Sequence, residues 1–202
     1  MIASHLIFGA YGFWLPNDPR GSWSDAVWAG PLREFGPPSK VSTRESLAHR
    51  QHDRALRLRA KQSLKYPPVH FSGLQARAVG RGFGQIIHEL GVQVYACVVM
   101  PDHAHLVTAR HRLGGKELIG FLKRAATRQL TAEGLHPFDG HTRPNGRSPS
   151  PWAAGGWCVY LDRPEQVWQR IRYVEENPIG AGLPRQRWGF VVPFEPRSGD
   201  RG

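Results

Sequence analysis

Val99-Met100-Pro101-Asp102-His103-Ala104-His105-Leu106-Val107 reads as a β-hairpin: an apolar run, a Pro-Asp turn and a second apolar run. Residues two apart in a strand point to the same face. His103 and His105 therefore project together, with Ala104 and Leu106 on the other face. Two neighbouring imidazoles form half a metal site, and on donor softness alone they suit Zn²⁺, Mn²⁺ or another divalent ion. Around the hairpin the pattern predicts strands at 2–8, 92–100, 103–109 and 155–161. A helix over 74–90 carries Val79, Phe83, Ile86, Ile87 and Leu90 as its buried stripe, and one over 115–132 buries Leu118, Ile119, Leu122, Ala125 and Ala126. Strands and helices in this order, with hairpin connections, predict an α+β fold: an antiparallel sheet with helices on one face.

The second decisive stretch is Tyr173-Val174-Glu175-Glu176-Asn177-Pro178-Ile179-Gly180-Ala181-Gly182-Leu183. It closes a helix predicted over 162–177. Asp162 and Glu165 have capping-box spacing, and Pro164 suits a first turn. Val167, Ile171 and Val174 make the apolar stripe. Pro178 disfavours helical geometry at Asn177, so the helix is expected to stop there. Tyr173 and Asn177 are four apart and share a face offset from that stripe. Of the five tyrosines, only Tyr173 has an amide-bearing residue four positions on.

A net charge of +11 over 202 residues predicts a polyanionic partner, most simply nucleic acid. The charge is uneven. Eight Lys/Arg, among them Arg50, Arg54 and Arg57, lie between Lys40 and Lys65, against only Glu45 and Asp53. With few bulky apolar residues, this stretch reads as a solvated helix or arm for phosphate backbones and not as core. Lys116, Lys123, Arg124 and Arg128 occupy the polar side of the 115–132 helix and are further candidates for DNA contact. Trp14, Trp23 and Trp28, in a loop with Arg20 and Arg33, either stack on bases or staple the loop to the core.

No apolar run is long enough to span a bilayer, and no secretory signal or membrane partner is expected. Cys97 and Cys158 sit in strand-like settings with no Cys-x-x-Cys pattern, which suits buried thiols in a reducing compartment. The length suits one domain over 1–202, with a basic insertion at about 26–73 and a flexible tail from about 184.

Together, "VVMPDHAHLV", "YVEENPIGAGL" and the opening "HLIFGAYGFWLPNDPRGSWS" resemble the HUH single-tyrosine transposases, and more narrowly their REP-associated branch. The resemblance spans residues 1–25, 74–130 and 150–183. Ala104 is small for the middle of the His pair, and 26–73 does not map onto the minimal family core. The resemblance implies a ferredoxin-like, RRM-like palm. It implies Tyr173 as nucleophile, His103, His105 and Asn177 as ligands of Mg²⁺ or Mn²⁺, and single-stranded or hairpin DNA as substrate. Attack would leave a 5′-phosphotyrosyl enzyme, whose covalent bond stores the energy for rejoining. A cytoplasmic monomer or homodimer is expected. Two other classes fit the charge: a non-cleaving DNA-hairpin binder, and an RRM-like RNA-binding protein. The latter lacks an aromatic-rich RNP signature.

Overall fold

Four strands, β1 (Ala3–Gly9), β2 (Val94–Val99), β3 (His103–Ala109) and β4 (Trp157–Leu161), pair in the order β2-β3-β1-β4, each antiparallel to its neighbour. The computed structural model describes residues 1–13, 15, 18, 30–36, 53–141 and 143–196. Helix α2 (Gly73–Leu90) connects β1 to β2 and α3 (Gly115–Ala132) connects β3 to β4, so the chain runs β-α-β-β-α-β in the ferredoxin-like manner. The expected α+β class and antiparallel sheet are both present.

Alternation decides where the helices go. Leu6 and Phe8 of β1 and Ala104 and Leu106 of β3 turn to one face, where they pack on Val79, Phe83, Ile86 and Ile87 of α2 and Leu118, Ile119 and Leu122 of α3. Val98 of β2, Val107 of β3 and Leu161 of β4 turn to the other face. There they meet Val167, Ile171 and Val174 of α4 (Pro164–Gly180). The expectation of helices on one face is corrected by α4. Every residue of β2 is buried, so the sheet centre is apolar on both sides and both sides require cover.

Local chemistry sets the helix ends. Ser72 Oγ accepts from the Gln75 N–H at 3.3 Å, and the Gln75 side chain accepts from the Ser72 N–H at 2.9 Å, a capping box that starts α2. Gly91 ends it in the left-handed region at φ 67°. For α4 the capping acceptor is Gln166 and not Glu165: its Oε1 accepts from the N–H groups of Asp162 and Arg163 at 2.9 and 3.2 Å. The helix also runs past Pro178 to Gly180, beyond the predicted stop at Asn177. Proline removes one N–H from the ladder, but the Pro178 ring is buried, and the Leu183 and Gly182 N–H groups bond the Pro178 and Ile179 carbonyls at 2.8 and 2.9 Å. Packing and these closing bonds outweigh the single lost bond.

The described part of the tail, 184–196, makes hydrogen bonds to β2. Gln186 clasps Val99 by accepting from its N–H at 2.9 Å and donating to its carbonyl at 2.7 Å, and the Val192 N–H bonds the Val94 carbonyl at 2.9 Å. The tail thus satisfies the backbone of β2, an edge strand whose polar groups would otherwise lack partners. The basic segment is not wholly solvated. Part of it forms α1 (Arg54–Gln62), which buries Ala60 against Leu15 and Phe35 in a small satellite core. Both cysteines are free thiols, Cys97 fully buried and Cys158 partly so.

Helices α2 and α3 approach closely at Gly82, where a Cβ would lie 2.7 Å from the Ala125 carbonyl oxygen. Gly82→Ala would gain up to about 1 kcal/mol of helix propensity. Overpacking against backbone costs about 1–3 kcal/mol, so the clash is expected to win. Urea unfolding should show a net loss of about 1–2 kcal/mol.

Candidate active site

The polar site sits at one end of the sheet, on the face that α4 covers. The β1–β3 register pairs Gly9 with His103 and Ile7 with His105, and β3 alternation turns both imidazoles to this face, with ring centroids 4.7 Å apart. From α4, Tyr173 and Asn177 come down beside them. The Tyr173 ring lies edge-on to His105 at 5.6 Å, and Asn177 Nδ2 is 3.3 Å from His105 Nε2. Tyr173 is 41% exposed while His105 is 4% exposed, so the phenol is open to a large ligand and the imidazole is held from below. His103, His105, Tyr173 and Asn177, predicted from two separate stretches, are brought together here.

Four more residues complete the group. His103 Nδ1 contacts Asp102 Oδ1 at 2.7 Å, which leaves Nε2 free to act as a ligand. Phe13 stacks on the His103 ring at 4.8 Å. That stacking depends on Gly9, where a Cβ would come within 2.7 Å of Phe13. His5, on β1, places Nε2 3.0 Å from His105 Nδ1 and is 1% exposed. Arg170, one turn before Tyr173 on α4, holds its guanidinium 5.9 Å from the centre of the Tyr173 ring.

His5 and Arg170 were missed from the sequence. His5 shares a strand face with Ile7 and has no chemical partner nearby in the chain. The available signal for Arg170 was its spacing of three from Tyr173.

Burial, with the Arg170 charge adding to it, pushes the His5 imidazole down to about 3. His105 is held well below its ordinary range, by burial first and then by His103, His5 and Arg170. A neutral imidazole is the form that binds a metal. No cluster of three or more His, Cys, Asp or Glu with metal-binding spacing occurs among the described residues. The donor set here is different, two imidazoles and an amide. Half a turn of the Asn177 amide exchanges its nitrogen for its oxygen, so the residues present suit a divalent ion with open positions.

The basic candidates divide. Lys116, Arg124 and Arg128 are exposed on α3, on the sheet face away from the histidines. Lys123 does not project freely: its Nζ donates to the carbonyls of Ala153, at 2.8 Å, and Gly155, and so ties down the loop before β4. Burial pulls its ammonium down to about 8. Arg54 is exposed at the start of α1, whereas Arg57 is drawn inward, 3.9 Å from the buried Asp18 carboxylate. Arg50, with Arg20, Trp14, Trp23 and Trp28, lies outside the described residues.

No family model and no curated relative matches the chain. Among solved structures it is similar to a REP-associated tyrosine transposase bound to a REP hairpin, at 16% identity and a TM-score of 0.44, over 63% of this chain and 70% of that one. It is also similar to a candidate transposase from Deinococcus radiodurans, at 14% identity and a TM-score of 0.38, over 87% of this chain and 89% of that one. Likenesses this distant leave function to the geometry of the site itself.

The buried imidazoles have a pH consequence for the metal-free protein. Once unfolded, His5 returns to its ordinary value of 6.5, so between about 3 and 6.5 the unfolded chain binds a proton that the folded chain refuses. Stability is therefore full above pH 6.5 and falls as pH drops through this window, by up to about 1.4 kcal/mol per pH unit for each such ring. Urea titrations at stepped pH should show this slope, and His5→Gln should reduce it.

Proposed function

We propose that the chain is a metal-dependent, single-strand DNA endonuclease and strand transferase of the transposase kind, with Tyr173 as nucleophile and a 5′-phosphotyrosine intermediate. The observation that supports this reading is the meeting of Tyr173 and Asn177 from α4 with His103 and His105 from β3. A phenol beside two imidazoles and an amide suits attack on a phosphodiester. The phosphodiester is itself anionic and repels nucleophiles. His103, His105 and Asn177 would hold Mg²⁺ or Mn²⁺, which when bound neutralises phosphate charge and polarises the bond to be broken.

The chain's own residues do the rest. Tyr173 Oη gives up its proton and forms a bond to phosphorus, the bond from phosphorus to the 3′ oxygen breaks, and that oxygen takes up a proton to leave as a 3′-hydroxyl, so protons balance overall. Joining is the reverse: a 3′-hydroxyl attacks the phosphotyrosine and releases Tyr173. Arg170 supplies a fixed positive charge beside the phenol, suited to orienting the incoming phosphate. Asp102 and Phe13 hold the His103 ring in place. The motif resemblance extends the substrate to hairpin-containing DNA. The exposed Lys116, Arg124 and Arg128 of α3, with Arg54, then serve the flanking backbone, and residues 26–73 form an insertion into the core fold. The site reading favours the cytoplasm, where such DNA lies.

Incubation with hairpin-bearing single-stranded DNA and Mg²⁺ or Mn²⁺, followed by a denaturing gel, tests the proposal. The expected result is a cleaved strand and a slow covalent band, both abolished by EDTA. Tyr173→Phe keeps the ring and removes one hydroxyl, so DNA binding should persist while cleavage and adduct disappear. A Tyr173→Phe protein that still cuts, or an adduct mapped by mass spectrometry to another tyrosine, overturns the assignment. Replacing Lys116, Arg124 and Arg128 with Ala should weaken binding to all oligonucleotides alike. It should also flatten the salt dependence by about 0.7 per lost phosphate contact.

A further inference from the structure

The two candidate metal ligands on β3 are supported from behind in different ways. His103 Nδ1 meets the Asp102 carboxylate at 2.7 Å, an acceptor-only partner that keeps the proton on Nδ1 and the lone pair on Nε2. His105 has no carboxylate behind it. Its Nδ1 faces the Nε2 of His5 at 3.0 Å, and both rings are nine-tenths buried or more. Only one proton fits between two facing imidazole nitrogens, so one ring donates and the other accepts. If His5 donates, the single proton of neutral His105 is forced onto Nε2 and occupies the nitrogen that faces Asn177. If His105 donates, its Nε2 is bare and free to meet a metal ion on the side where Asn177 lies, 3.3 Å away.

His5 Nδ1 is buried without a hydrogen-bond partner among the described residues in either arrangement, so it does not choose between them; the need of a metal ligand for a bare nitrogen does. We infer that His5 is a positioning residue whose Nε2 accepts from His105 Nδ1, locks His105 with its Nε2 lone pair free, and so raises the affinity of the His103–His105–Asn177 site for a divalent cation. This rests on the metal reading above, and it assigns to β1 the part that Asp102 plays for His103.

The test is Mn²⁺ binding to the DNA-free protein, read by the electron paramagnetic resonance of free Mn²⁺. His5→Leu keeps bulk and removes the acceptor, and should weaken Mn²⁺ binding by about 10–100-fold. His5→Gln can bring Oε1 near the position of Nε2, and should restore most of that loss. Thermal melts report whether each variant is folded. His103→Ala tests the metal reading separately. If it binds Mn²⁺ as the wild type does, that reading fails and the role of His5 falls with it. If His103→Ala loses binding while a folded His5→Leu binds as the wild type, only the His5 inference is overturned. Long-range ¹H–¹⁵N spectra of the wild type decide the point even where a variant does not fold. A protonated Nδ1 on His105 is expected, and a protonated Nε2 overturns the inference.

Discussion

The period of two along β1 and β3 is the constraint on which the rest of the structure depends. It sends Leu6, Phe8, Ala104 and Leu106 to one face and His5, His103 and His105 to the other. A slip of one residue in the β1–β3 register would exchange the apolar and imidazole sets. The core under α2 and α3 would then hold histidines, and the site would hold Leu and Phe. Core packing therefore specifies the site's geometry at no separate cost, because both are read from the same pleat.

The second face imposes its own condition. A sheet with β2 buried along its whole length cannot leave that side to water. Helix α4 covers it with Val167, Ile171 and Val174, and the 3.6-residue period then sets Tyr173 and Asn177 at the edge of the contact, above the histidines. Tyr173 rests edge-on against the buried His105 and His5. It is carried by a helix whose apolar stripe is anchored on Val98 and Val107, so the site is as rigid as that contact.

What could be read in advance follows the range of the forces involved. The β2–β3 hairpin, the span of α3 and the stripe of α4 were legible because periodicity is a local signal. The pairing of His103 and His105, and of Tyr173 and Asn177, was legible for the same reason. His5 was not, because its partner is His105, a hundred positions away, and only strand pairing brings them together. The bonds of the tail to β2 were not legible because Gln186 and Trp188 look like loop residues until the edge of β2 and the notch at Gly80 are known; a Cβ there would sit 2.0 Å from the Trp188 ring. Arg57 and Lys123 look like free cations in sequence, and only the fold shows that one faces Asp18 and the other holds a loop. Pro178 kept its place in the helix because tertiary burial overrides a local preference of about 3 kcal/mol.

Arg170 links the electrostatics of the site to its proposed chemistry. Burial first, with this positive charge adding to it, opposes protonation of His5 and His105, so both rings are held neutral. The same charge faces the open side beside Tyr173, where an anionic phosphate would be welcome. A carboxylate in its place would do the reverse on both counts: it would favour imidazolium and repel the phosphate. On the proposed reading, one cation at this position of α4 then suits both the metal ligands and the polyanion.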